Sequence, residues 1–209
     1  MPLILYIDTS GAKSHSLLFD EHAIHAERLR EEVNVHAKML NVHIEEMLKE
    51  KNWAWQQIGA VMVMNGPGSY TGLRISLANA KGYCYALDIP LILISQFDLM
   101  RASISSDDSF SIFILKAREN EFFVNYSEKG KEVNRIMTYE DLKQLVSTSK
   151  SILYSTDSSL ADEFLEIEIV NICNELIQSI GIDYAHSKQF SNRIDAEPFY
   201  MKEVYLTNY

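Results

Sequence analysis

Residues 65–82 are the part of this sequence best suited to chemistry. They read N-G-P-G-S-Y-T-G-L-R-I-S-L-A-N-A-K-G and hold half of the chain's eight glycines. An apolar run at 58–64 precedes them, and an apolar-rich segment begins within them at residue 73 and continues to residue 87. This order predicts a buried strand, a glycine loop and a helix. Ser69, Thr71 and Gly72 are candidate caps for this helix, whose first N–H groups would point back at the loop. The pattern therefore predicts an anion site, although a tight turn without a ligand fits the same residues.

Several familiar catalytic loops are excluded. A Walker A loop ends in Gly-Lys-Ser/Thr, but here Gly72 is followed by Leu73 and Arg74. A dinucleotide fingerprint has two residues between its second and third glycines, and this chain has three. The sequence contains neither a Gly-x-Ser-x-Gly elbow nor a His-Glu-x-x-His helix. Ser69 and Thr71 would need a spatial base to act as nucleophiles, so helix capping is the preferred interpretation.

The composition indicates a folded protein that binds nucleic acid weakly by itself. The 209 residues are 47% hydrophobic, enough for one large domain or two small ones. The net charge of −10 disfavours strong direct contact with nucleic acid, because such contact rests on Lys and Arg neutralising phosphates. Two cysteines, Cys84 and Cys173, are too few for a disulfide framework. We interpret them as buried thiols in a protein of a reducing compartment. No basic segment precedes the apolar residues 3–7, so we expect a cytoplasmic protein without a signal peptide or membrane span.

The polar and apolar pattern predicts two sets of elements. The predicted strands are 3–8, 14–19, 24–29, 58–64, 89–95, 110–115, 122–127, 152–154 and 167–172. The predicted helices are 35–51 with Asn34 as its cap, 73–87, one entered at 96–100, 139–146 with Thr138 as its cap, 160–165, and 174–180 before Gly181. In the first of them, helical spacing predicts a core face of Leu40, Ile44, Met47 and Leu48. The order in the first half suits a mixed sheet with helices on its faces. The small polar residues at 102–109 predict a boundary between two parts of the chain.

The segment 73–87 carries two apolar stripes at helical spacing. One consists of Leu73, Leu77, Ala80, Cys84 and Leu87, and the other consists of the small residues Ala78, Gly82 and Ala86. One stripe can pack on the sheet, and the other must be covered by a second helix of the chain or by a partner. Ordinary core packing and an interface both remain open on this evidence.

The string GPGSYTGLRISLANAKG resembles the signature of the TsaB (YeaZ) family, G-P-G-S-F-T-G-x-R-x-G-L-x-x-A-K-G. This chain has Tyr70 in place of Phe and Ser76 in place of Gly. Three shorter pieces agree in order with the family: I-D-T-S at 7–10, D-I-P-L at 88–91 and E-P-F-Y-M-K at 197–202. The resemblance covers the N-terminal half well and the C-terminal half only at landmarks.

The resemblance implies a fold and a function. The implied fold is α/β, of the actin-like ATPase (ASKHA, ribonuclease-H-like) class, with mixed sheets and flanking helices in two small subdomains, expected at 1–105 and 106–209. The implied function is that of a non-catalytic scaffold subunit in forming N6-threonylcarbamoyladenosine beside the transfer RNA anticodon. Its implied partners are a TsaD-type threonylcarbamoyltransferase and a TsaE-type ATPase, with a homodimer in their absence and only indirect contact with tRNA.

The resemblance also assigns candidate site residues. Those for a weak nucleotide or phosphate contact are Asp8, Thr9, Ser10, Gly66, Gly68 and Ser69. Those for the partner interface are His36, Met39, His43, Arg74, Ala78, Gly82, Tyr85 and Ala86. His36 and His43 are seven residues apart, about 10.5 Å along a helix, too far to share one metal ion.

No metal site and no catalytic residue are expected. TsaD carries an N-H-x-x-A-H string whose two histidines hold a metal, and the matching positions here are Gln96 and Met100, which are poor ligands. After Gly82 only Gly130 and Gly181 remain, too few for the close backbone approaches of a complete ATP cleft. One alternative is a stand-alone enzyme of the same fold, either an ATP-dependent phosphotransferase that uses Asp8 and the glycine loop or a peptidase-like hydrolase. Another is a self-sufficient homodimeric binding module that uses the same helical face.

Overall fold

The computed structural model describes residues 2–30, 36–104, 111–149, 151–164 and 166–201, with the side chains of 36–38 left out. The chain forms two compact units. Unit 1 contains the residues up to Gln96 together with Cys173–Phe199, and unit 2 contains Phe97–Ile172 together with Tyr200 and Met201. The predicted boundary between 105 and 106 lies outside the described residues. In the described parts of the chain, no helix is both long enough and apolar enough to span a membrane.

Unit 1 is built on a five-stranded mixed sheet. Its strands are β1 (Leu3–Asp8), β2 (Ser14–Phe19), β3 (Ile24–Arg30), β4 (Ile58–Gly66) and β5 (Leu91–Ser95). The spatial order is β3-β2-β1-β4-β5. The pairs β1–β2 and β2–β3 are antiparallel, while β1–β4 and β4–β5 are parallel. Two helices in the first half of the chain flank this sheet, α1 (His36–Glu50) and α2 (Tyr70–Leu87).

One hydrophobic cluster of unit 1 lies between this sheet and the two helices. Strands β1 and β4 are buried almost throughout, as expected for central strands covered on both faces. The sheet residues of the core include Leu5, Ile7, Val61 and Val63. The helical residues packed on them are Leu40, Ile44, Met47 and Leu48 of α1 and Leu77, Ala80 and Cys84 of α2. These positions confirm the stripes predicted from helical spacing.

Unit 2 repeats the topology of unit 1. Its strands are β6 (Ser111–Arg118), β7 (Glu121–Glu128), β8 (Lys131–Thr138), β9 (Ile152–Ser155) and β10 (Ile167–Ile169). The order β8-β7-β6-β9-β10 is that of unit 1 with each strand number raised by five, and the parallel and antiparallel pairs match one for one. Helix α3 (Gln96–Ser103) leads into this unit and α4 (Tyr139–Ser149) joins β8 to β9. The duplicated mixed sheet confirms the predicted fold class.

Several local features differ from the predictions. Strand β8 was not predicted, because it is an edge strand whose residues are mostly polar and exposed. The helix expected at 160–165 is a single 3₁₀ turn, Ser158–Asp162. The last helix, α5 (Asn174–His186), continues past Gly181. The thiol of Cys173 is exposed rather than buried, because that residue lies just before α5.

Gly181 has a packing role within α5. A Cβ atom there would lie 2.7 Å from the ring of Phe19 and 3.1 Å from the sulfur of Met62. Glycine therefore brings α5 close to the sheet of unit 1 at a position that the sequence suggested as a helix end.

Candidate functional site

The glycine loop joins β4 to α2, as predicted. Ser69 is the N-cap of α2, and its hydroxyl accepts a hydrogen bond from the N–H of Gly72 at 3.3 Å. The helix therefore begins at Tyr70, earlier than the apolar pattern indicated, and Thr71 lies in its first turn. Gly66 has φ +128°, a backbone conformation that residues with a side chain rarely adopt.

The glycine loop packs directly on the turn that follows β1. The N–H of Ser69 donates to the carbonyl of Ser10 at 2.7 Å, and the hydroxyl of Thr9 donates to the carbonyl of Gly72 at 2.7 Å. A Cβ atom at Gly68 would lie 2.7 Å from the Ser10 carbonyl oxygen, and one at Gly72 would lie 1.8 Å from that of Thr9. The space left by these two missing side chains is thus filled by the chain's own backbone.

Asp8 uses its carboxylate to hold the same turn. One oxygen accepts the N–H of Ser10 at 2.7 Å, and the other accepts the Tyr6 hydroxyl at 3.4 Å. Burial, followed by the negative charge of Asp8, raises the pKa of Tyr6 well above its usual value. The structure therefore brings the predicted contact residues Asp8, Thr9, Ser10, Gly68 and Ser69 together at one place.

A third segment reaches the loop from the C-terminal end of the chain. The N–H of Phe199 donates to the carbonyl of Asn65 at 2.7 Å. The carbonyl oxygen of Phe199 lies 2.8 Å from where a Cβ atom of Gly66 would be. This contact was missed at the level of sequence, and the signal that could have found it is the E-P-F-Y landmark at 197–200.

Residues 187–199 form a strap that runs along α2 before it reaches the loop. Lys81 donates to the carbonyls of Ile194 and Ala196 at 2.8 and 3.1 Å. Arg193 donates to the carbonyl of Cys84 at 2.7 Å and to the carboxylate of Asp88 at 3.1 Å. Because Cys84 and Asp88 lie at the C-terminal end of α2, this arginine satisfies a helix terminus. Burial raises the pKa of the Cys84 thiol to about 11, which keeps it protonated and inert near neutral pH.

The second stripe of α2 is at the surface of the unit. Ala78, Gly82 and Ala86 are exposed, as are Arg74 and the preceding Tyr70, whose hydroxyl accepts a hydrogen bond from Arg74 at 2.7 Å. Among the described residues, no heavy atom outside the backbone of α2 and the chain neighbours of Gly82 lies within 4 Å of a Cβ built on Gly82. Tyr85 stands beside this stripe with 82% of its surface exposed. Within the described residues of unit 1, no other helix covers the stripe.

The α1 residues predicted for the partner interface are only partly at the surface. Met39 is half-buried, and His43 is 6% exposed, so the histidine lies beneath the surface rather than on it. The side chain of His36 lies outside the described residues. Asn41 is exposed on α1 and accepts a hydrogen bond from the Tyr83 hydroxyl of α2, which ties the two helices together.

The two positions that correspond to metal ligands lie on α3. Gln96 begins this helix and is half-buried, and Met100 is buried. Over the described ranges of the chain, no group of three or more His, Cys, Asp or Glu side chains is placed to hold a metal ion.

Two relatives of this chain carry the same name. It is 26% identical over 171 residues to the tRNA threonylcarbamoyladenosine biosynthesis protein TsaB of Bacillus subtilis, a match that covers 78% of this chain and 75% of that protein. It is 33% identical over 98 residues to the TsaB protein of Haemophilus influenzae, covering 46% of this chain and 41% of that protein. The second match thus spans less than half of its relative.

A family model described as TsaD, tRNA N6-adenosine threonylcarbamoyltransferase, matches residues 31–155, more than half of the chain. The chain belongs to the TsaB (YeaZ) family, which is related to TsaD. The structure of YeaZ from Pseudomonas aeruginosa has the same fold as this TsaB-family protein, with a TM-score of 0.72 at 19% identity, covering 96% of this chain and 100% of that one. A second structure, of a protein described as similar to peptidase YeaZ from Pseudomonas aeruginosa, gives a TM-score of 0.74 at 18% identity over 97% of this chain and 100% of that one.

Proposed function

We propose that this protein takes part in making N6-threonylcarbamoyladenosine on tRNA as a partner subunit that supplies no catalytic residue. It pairs with a TsaD-type threonylcarbamoyltransferase, which carries the metal and transfers the threonylcarbamoyl group. A TsaE-type ATPase joins the same complex, and tRNA is contacted through the partners, in agreement with the net charge of −10. The setting is the cytoplasm.

The exposed stripe of α2 is the observation that carries this proposal. Ala78, Gly82 and Ala86 let the backbone of a second helix approach closely, and Tyr85 supplies a large exposed ring at the edge. Arg74 adds a cation at the other end of the same face. The stripe therefore fits a helix of a partner, and a second copy of this chain takes that place when the partner is missing.

The glycine loop supports a scaffold better than it supports an enzyme. Gly68 and Gly72 admit the backbone of residues 9 and 10, which accounts for these glycines without a phosphate. The carboxylate of Asp8 is engaged by the N–H of Ser10. A nucleotide could not approach the backbone closely at these glycines, because residues 9 and 10 already occupy the space. We therefore propose that nucleotide binds weakly, without turnover, through Asp8, Thr9, Ser10, Gly66, Gly68 and Ser69.

The test is size-exclusion chromatography with light scattering, on the protein alone and mixed with the TsaD-type subunit of the same genome. We expect a homodimer that converts to a stable heteromer, because both assemblies use one face. Two folded proteins that elute separately would contradict the proposal. ATP hydrolysis by the purified chain that is lost on Asp8→Ala would instead support the stand-alone enzyme.

A further inference from the structure

In unit 1, the amino ends of β4 and β5 are closed by two aromatic side chains. Trp55 stacks on Tyr83 with ring centroids 5.0 Å apart and an interplanar angle of 29°. Trp55 lies in the segment between α1 and β4, and Tyr83 comes from α2. Both rings pack against the core of unit 1, so the corner of this sheet is sealed from within the chain.

In the described residues of unit 2, the matching corner lacks both closing elements. The segment that joins α4 to β9 is residues 150–151, whereas residues 51–57 join α1 to β4. The connection from β9 to β10 contains the 3₁₀ turn Ser158–Asp162, where the connection from β4 to β5 contains the 18-residue helix α2. Since the two sheets share one topology, unit 2 is left with a helix missing from its amino-end corner.

A groove of about 510 Å³ lies at this corner. Val146 and Ile167 line it while packing on the core of unit 2, and Ile152 lines it with 42% of its surface exposed. Glu166 and Glu168 flank Ile167 on the edge strand β10 and are exposed. The described lining residues thus combine three aliphatic side chains with two serine hydroxyls, two carboxylates and no cation.

We propose that this groove binds an amphipathic helix of a partner protein. The helix inserts an aromatic side chain beside Val146, Ile152 and Ile167, as Trp55 and Tyr83 do in unit 1. It also places Lys or Arg next to the carboxylates of Glu166 and Glu168. The occupant is a helix because unit 1, which has the same topology, has the helix α2 at the matching place. Its charge is positive because the groove presents the carboxylates of Glu166 and Glu168. The site lies on unit 2, apart from the α2 stripe, and so goes beyond the proposed function.

The test uses a display library of 18-residue amphipathic helices, selected against the full-length protein. We expect enriched peptides to carry an aromatic residue within one helical turn of Lys or Arg. By fluorescence anisotropy, Ile152→Asp should weaken their binding at least tenfold. Glu166→Lys should weaken it severalfold, with a smaller dependence on salt. Leu29→Asp is the matched control, because Leu29 is 45% exposed on the edge strand β3 of unit 1, and it should leave binding unchanged.

Either of two outcomes would overturn the proposal. One is a selection that yields no peptide above the background of the library. The other is a set of peptides that bind Ile152→Asp as well as the unchanged protein, or that carry no basic residue. Circular dichroism of Ile152→Asp and Glu166→Lys establishes that both variants are folded before binding is compared.

Discussion

At Gly72 the absence of one methyl group decides how two loops meet. The carbonyl oxygen of Thr9 occupies the place of a Cβ atom at 1.8 Å, and the Thr9 hydroxyl bonds back to the Gly72 carbonyl. The clashing oxygen belongs to the backbone and not to the free end of a flexible side chain. A rotamer change therefore cannot relieve the clash. The sequence indicated this glycine as a candidate helix cap, whereas its observed role is to admit the backbone of a neighbouring loop.

We predict that Gly72→Ala destabilises the protein although it favours the helix. Overpacking at a fixed backbone contact costs about 3 kcal/mol, and the gain in helix propensity returns about 1 kcal/mol. The expected loss in the free energy of unfolding is about 2 kcal/mol, measured by urea titration. Gly11→Ala is the control, because a Cβ atom at that position would meet no heavy atom of the described residues within 4 Å beyond its two chain neighbours. Equal stabilities of the two variants would disprove the packing argument.

Asp20 provides a pH-dependent contribution to stability at the β2–β3 turn. Its carboxylate lies 2.9 Å from Nε2 of His25 and accepts the N–H groups of His22 and Ala23 at 2.8 and 3.1 Å. Burial acts to raise the pKa of Asp20, but these hydrogen bonds outweigh it and lower the pKa to about 2 from 3.8. A folded-state pKa below the unfolded value means that the stabilisation is present above pH 3.8 and is lost as the pH falls through 2.

We expect Asp20→Asn to lower the free energy of unfolding by about 1 kcal/mol at pH 6, a value suited to a group near the surface. The deficit should shrink between pH 4 and pH 2, because in this range the carboxyl binds a proton in the unfolded chain and stays ionised in the folded one, which favours unfolding of the unchanged protein. Urea unfolding at a series of pH values measures the deficit in the free energy of unfolding. Asp162→Asn, on an exposed turn, is the control. A deficit that is constant with pH would show that the charge of Asp20 plays no part.

At the scale of the element, α2 shows how one helix can serve two surfaces. Its stripe of Leu73, Leu77, Ala80 and Cys84 is buried, and its stripe of small residues is exposed. Helical spacing predicted both stripes, because side chains three and four residues apart share a face. Spacing could not decide whether the small stripe was covered, since that depends on which elements the rest of the chain places beside it.

Gly82→Leu should separate pairing from folding. A leucine has open space at this position and should raise the stability of the monomer by about 1 kcal/mol through helix propensity. The same side chain should block a closely approaching helix and weaken pairing at least tenfold. Light scattering across a dilution series gives the dimer dissociation constant, and Gln144→Leu on the exposed face of α4 is the control. Unchanged pairing would remove α2 from the interface.

At the scale of the whole molecule, the chain returns to its first unit. Residues 173–199 belong with unit 1, although they follow unit 2 in sequence. Gly181 packs α5 against Phe19 and Met62, and the N–H of Ser191 donates to the carbonyl of Leu91 at 2.8 Å. The core of unit 1 is therefore incomplete without the C-terminal part of the chain.

A truncation after Ile172 should therefore damage unit 1, although residues 1–96 are all retained. Trp53 and Trp55 are the chain's only tryptophans and both lie in unit 1, so their fluorescence reports on this unit alone. We expect the fluorescence transition in urea to move to lower concentration or to lose its cooperativity. Truncation after Tyr200 is the control and should leave the transition near its original midpoint. An unchanged midpoint in the shorter chain would mean that unit 1 folds without residues 173–199.

The sequence by itself determined the strands of both sheets except β8, the position of the glycine loop and the buried faces of α1 and α2. Those features follow from local periodicity and turn chemistry, which act between residues near one another in the chain. Only the tertiary structure decided that Thr9 and Ser10 fill the glycine loop, that His43 is buried, and that residues 173–199 complete unit 1. Those outcomes depend on contacts between distant residues, whose partners no local pattern specifies.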